Sequence, residues 1–81
     1  LDLSFNKQLT YVDLPFNPIE EVYFKNNISL KTIFIYETYT LEVLEISNSP
    51  YIKEISVHET KLKELIYSYI FLVYPSINSF L

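Results

Sequence analysis

Leu9-Thr-Tyr-Val12-Asp-Leu14-Pro-Phe-Asn17 and Leu30-Lys-Thr-Ile33-Phe-Ile35-Tyr-Glu-Thr38 decide the fold. In both stretches apolar side chains stand at the first, fourth and sixth places, and a small polar residue stands at the ninth. The apolar spacing recurs as Ile19/Val22/Phe24, Leu41/Leu44/Ile46, Ile52/Ile55/Val57 and Leu62/Leu65/Tyr67. The six copies start at 9, 19, 30, 41, 52 and 62, so the step is 10 or 11 residues. Leu1 and Leu3 read as the end of an earlier copy, and Leu72/Pro75/Ile77 as a degenerate later one.

A second column keeps the same register. Three residues after the last apolar position come Asn6, Asn17, Asn27, Thr38, Ser49 and Thr60. All are small, polar and able to hydrogen-bond. A chain that bends every ten residues leaves backbone groups without partners at each bend. Inward-pointing Asn, Ser and Thr side chains would supply those partners as a structural ladder. Asn27-Ile28-Ser29 also matches a glycosylation sequon. An inward Asn27 is expected to stay unmodified.

The two quoted stretches resemble the leucine-rich repeat family, whose LxxLxLxxN pattern they follow. The likeness covers roughly residues 1–67 and is closest to short bacterial-type repeats of about 21 residues, with the consensus in both halves of each coil. Thr or Ser replaces Asn from Thr38, in the third of the six copies, onward, and isoleucine often replaces leucine. A weaker likeness is to the FNIP repeat class, through Phe16-Asn17-Pro18-Ile19. That string occurs once, and the glycines of that class are missing.

Apolar residues at places one, four and six do not follow the helical stripe. They read instead as a short strand with two side chains inward and one outward. The expected fold is therefore all-β. About three and a half leucine-rich-repeat coils would form a solenoid, with short parallel strands on two opposite walls. Residues 1–67 would form the repeat, and residues 68–81 a C-terminal cap or degenerate final coil. The dense apolar run from Leu65 to Tyr74 also fits a docking surface for missing sequence. An uncapped end would invite end-to-end association.

The walls differ in chemistry. One carries Tyr11, Phe34, Tyr36 and His58 outward, an aromatic patch suited to a protein partner. The other carries Glu20, Glu21, Glu42, Glu45 and Glu64. These read as a solvated face, a docking surface for a basic partner, or a calcium site, although no DxDxDG-like loop is present. Glutamates on neighbouring strands repel, so the Glu20–Glu42–Lys63 column gains from ending in a cation.

Composition closes off most chemistry. The 81 residues hold no cysteine and no glycine. That excludes disulfides, cysteine-ligated zinc, phosphate-cradling loops and glycine turns. Ten acids against six lysines give a net charge of −4, which disfavours nucleic acid. The apolar tail is too short for membrane insertion. His58 is the one histidine, and it stands near Glu54, Ser56 and Glu59. Without an oxyanion hole or a nucleophile elbow it reads as a surface residue. No cofactor, metal or catalytic group is expected. The missing Ala, Gly, Arg and Trp and the abundant Ile, Asn, Lys, Tyr and Phe suggest codon bias in an AT-rich genome. The chain reads as a fragment of a longer protein. The functional expectation is a non-enzymatic interaction scaffold. A purely structural segment of a longer array and a carbohydrate-binding or adhesive surface are the alternatives.

Overall fold

The computed structural model describes residues 1–68 and 77–78. They contain no helix. Six strands follow one another: β1 Tyr11–Pro15, β2 Glu21–Lys25, β3 Thr32–Tyr36, β4 Val43–Ser47, β5 Glu54–His58 and β6 Glu64–Ser68. A two-residue β7, Ile77–Asn78, comes last. Each of the first six is five residues long, because each bend removes about half of every repeat.

The strands form two sheets, ordered β1-β3-β5-β7 and β2-β4-β6, and every pairing is parallel. The chain therefore changes sheet after every strand, and the two sheets do not close on one another. The register follows the repeat. Val12 pairs with Ile33 and Ile33 with Ile55. Val22 pairs with Leu44 and Leu44 with Leu65. Residues 1–5 extend the second sheet: Leu3 N–H donates to Tyr23 O at 2.8 Å, and Phe5 N–H to Lys25 O at 2.7 Å. Pro15, which has no N–H to give, sits at the end of an edge strand, where proline is tolerated.

One core lies between the sheets. Val12, Ile33, Ile35, Ile55 and Val57 come from the first sheet, and Val22, Phe24, Leu44 and Ile46 from the second. The leading residues of four copies, Leu30, Leu41, Ile52 and Leu62, fill the corners. Each such side chain contributes about 1.5–3 kcal/mol by leaving water. The end copies are less covered. Leu9, Leu14, Ile19 and Leu65 are only partly buried, and Tyr67, expected inward, is 56% exposed. Leu9 precedes the edge strand β1 and Leu14 lies on it, and Leu65 and Tyr67 lie on β6, the last strand of its sheet among the described residues.

The bends are built in a way that composition conceals. Phe5, Phe16, Asn26, Glu37, Asn48 and Glu59 all have left-handed backbone, with φ between 47° and 65°. Each stands immediately before a ladder residue. This conformation turns the chain inward and aims the bend N–H at the next coil. Phe16 N–H reaches Tyr36 O, Asn26 N–H reaches Ser47 O and Glu37 N–H reaches His58 O. Glycine turns are indeed absent, but the left-handed conformation is taken by other residues. It strains a side chain with a Cβ by about 1–2 kcal/mol. Glu37→Gly is therefore expected to be about 1 kcal/mol more stable than Glu37→Ala, which loses the same carboxylate without relieving φ. Parallel urea titrations check this, and equal midpoints would reject the strain.

The ladder residues hydrogen-bond backbone groups, though not uniformly. Asn27 Nδ2 donates to Leu3 O at 2.8 Å and to Asn6 O at 3.3 Å, both in the coil below. Thr38 Oγ1 donates to Leu14 O at 2.8 Å. Ser49 Oγ accepts from Asn27 N–H, and Thr60 Oγ1 from Leu62 N–H. These four residues are buried. Asn6 is exposed and Asn17 half-buried, unlike the inward position expected for the whole column. Their side-chain amides donate to a carbonyl within three residues, Leu3 O and Pro15 O respectively, and no strand among the described residues lies beneath them.

One expectation about the end of the chain changes. Ile77 pairs with Ile55, not with Val57, so the later copy is shifted by two residues from the register read as Leu72/Pro75/Ile77. Of residues 68–81, read as a C-terminal cap or degenerate final coil, 69–76 and 79–81 lie outside the described residues.

Candidate functional site: an aromatic wall and an acidic wall

The β1–β3–β5 wall brings Tyr11, Phe34, Tyr36 and His58 to one outer face. Register does this. Asp13 pairs with Phe34, Pro15 with Tyr36, and Tyr36 with His58, and side chains of one face repeat every second residue. Tyr11 meets Phe34 diagonally, with ring centroids 5.6 Å apart and an interplanar angle of 74°. Tyr36 stacks on His58 at 5.8 Å and 13°. An edge-to-face contact such as that of Tyr11 and Phe34 adds about 0.5–1.5 kcal/mol beyond burial.

Phe16 joins the patch, with its ring 6.2 Å from Tyr36 at 72°. It is 67% exposed. The repeat did not mark it, because it follows the strand at the left-handed position. Its place directly before ladder residue Asn17 was the available signal. Burial raises the Tyr36 phenol above the ordinary tyrosine value, with the Asp13 carboxylate adding to the effect. Tyr36 is therefore a neutral hydroxyl on this face.

Ser56 lies in the Asp13–Phe34 column but is buried. A Ser56–His58 pair open to substrate is therefore not what this face offers. Asn27 is fully buried, so its amide is closed to glycosylation in the folded chain.

The β2–β4–β6 wall carries the acids. Glu20, Glu21, Glu42 and Glu64 are exposed, and Glu45 is half-buried. Glu42 pairs with Lys63 at 3.5 Å, at the column position where a cation relieves repulsion. Both side chains are well exposed, so the pair is worth about 0–1 kcal/mol. Tyr23 OH donates to Glu21 Oε2 at 2.5 Å. That bond to a carboxylate holds the phenol above its ordinary value, helped by desolvation and the nearby Glu45 charge. Tyr39 OH donates to Glu59 Oε2 at 3.2 Å, and its phenol is raised first by burial and then by that bond. Among the described residues no group of three or more His, Cys, Asp or Glu side chains converges to hold a metal. No helix among them is long and apolar enough to cross a membrane.

These features define a two-sheet, parallel all-β repeat with one aromatic and one acidic face. No family model matches the chain, no curated protein matches it, and no solved structure matches it.

Proposed function

We propose that the chain is a short solenoid of leucine-rich-repeat type whose β1–β3–β5 wall is a non-enzymatic docking surface for a protein partner. The observation that carries the docking role is the outward patch Tyr11–Phe34 and Phe16–Tyr36–His58, whose rings touch one another. The solenoid reading is supported by the alternation of the chain between the sheets and by the cross-coil bonds of Asn27 and Thr38.

Rings held on a hydrogen-bonded sheet lose little rotamer freedom when a partner covers them, so their burial is turned into affinity efficiently. Two such anchors account for about 2 kcal/mol or more each when truncated. The variant Phe34→Ala/Tyr36→Ala is expected to abolish capture of the protein partner in a pull-down, with an unchanged far-UV spectrum. Undiminished capture would rule this wall out. Retention on a glycan array in place of a protein would replace the partner class with carbohydrate.

A further inference from the structure

A cleft of about 710 Å³ opens where the bends leading into β3 and β5 lie one above the other. Ile28, Pro50, Tyr51 and Ile52 line its apolar part, and Lys31 and Lys53 its charged part. Ile28 and Tyr51 are 48% and 63% exposed, which leaves apolar surface in water in both bends.

The two lysines are fixed in adjacent rungs. Lys31 N–H donates to Thr10 O at 2.9 Å and Lys53 N–H to Lys31 O at 2.8 Å. Neighbouring strands stand about 4.8 Å apart, so the two cationic stems rise side by side. Like charges in that position repel. The corresponding column of the other wall, Glu20–Glu42–Lys63, relieves its repulsion internally through Glu42 and Lys63. The Thr10–Lys31–Lys53 column has no carboxylate within ion-pair distance among the described residues. A shortage of acids is not the reason, since the chain has ten against six lysines. An external anion settling between Lys31 and Lys53 would supply the missing charge.

We infer that this cleft binds a small amphipathic carboxylate: one compact apolar group carrying one carboxylate. The apolar group lies against Ile28, Pro50 and Tyr51, and the carboxylate is held by the Lys31 and Lys53 ammonium groups. Such a ligand is either a free acid or the C-terminal residue of a polypeptide. The site stands beside the aromatic patch and shares no residue with it. Its test needs no protein partner, so this inference and the docking role can fail separately.

The test is an NMR titration of the isotope-labelled chain with N-acetyl-phenylalanine and with 3-phenylpropanoate. Saturable shifts are expected at the amides of Ser29, Lys31, Tyr51 and Lys53, with a dissociation constant on the order of 1 mM. N-acetyl-phenylalaninamide has the same ring without the charge and should bind about tenfold more weakly. Lys31→Gln/Lys53→Gln should lose a similar factor toward both acids. Both side chains are exposed, so that variant keeps the fold, and its amide spectrum verifies this. Tighter binding of N-acetyl-phenylalanine than of 3-phenylpropanoate assigns the site to polypeptide termini, and equal binding assigns it to free acids. Absence of shifts at these four amides, or equal binding of the neutral amide, overturns the inference.

Discussion

Phe24→Ala is expected to remove most of the folding stability, while Phe16→Ala leaves it nearly intact. Phe24 is the bulkiest fully buried side chain among the described residues. It lies in register with Ile46 across the β2–β4 ladder and packs in the core shared by both sheets. Truncating such a ring forfeits its transfer energy and leaves a cavity, at about 3–5 kcal/mol. A chain of 81 residues has only about 4–12 kcal/mol to lose. The urea midpoint should fall by about 2 M. Phe16, by contrast, is 67% exposed and strained at φ 58°. Its removal gives up one edge-to-face ring contact with Tyr36 and should cost about 1 kcal/mol or less. If Phe24→Ala cost less than about 1 kcal/mol, the inward register of β2 would be wrong.

That contrast between two phenylalanines shows what the sequence could reveal. The inner positions and the pairing of strands two copies apart were readable, because a period-two strand on a ten- or eleven-residue step leaves one register that buries Val22, Phe24, Leu44 and Ile46 together. The assignment of Tyr11, Phe34, Tyr36 and His58 to one face followed from the same count. The left-handed bend position was not readable. Phe5, Phe16, Asn26, Glu37, Asn48 and Glu59 share no side-chain chemistry, only a backbone angle imposed by the coils above and below. The cleft at Ile28, Tyr51, Lys31 and Lys53 was equally hidden, since it arises from two bends meeting and neither bend carries a motif. Edge effects were the third gap. Period alone treats Tyr67 like Phe24, whereas stacking neighbours decide that one is exposed and the other buried.

The ladder offers the second large effect, and it separates two asparagines that look alike in sequence. Asn27→Ala should destabilise by about 1–3 kcal/mol, because the fully buried Asn27 side chain gives up its bonds to Leu3 O and Asn6 O. The backbone N–H of Asn27 keeps its bond to Ser49 Oγ, so the loss belongs to the side chain. Asn27 Oδ1 is buried with no hydrogen-bond partner, and the substitution also removes that desolvated atom, which holds the cost below the upper limit. Asn27→Asp keeps the shape but replaces the donor with a buried charge, and should be worse than alanine. Asn17 is half-buried and donates only to Pro15 O, two residues away. Its replacement by Ala should cost about 1 kcal/mol or less, since water reaches the freed carbonyl. Urea titrations of the three variants check the order. Equal losses for Asn17→Ala and Asn27→Ala would mean that the column only shapes the bends. A clear excess for Asn27 would mean that it ties one coil to the next, so that the stability of each coil depends on the neighbour it caps.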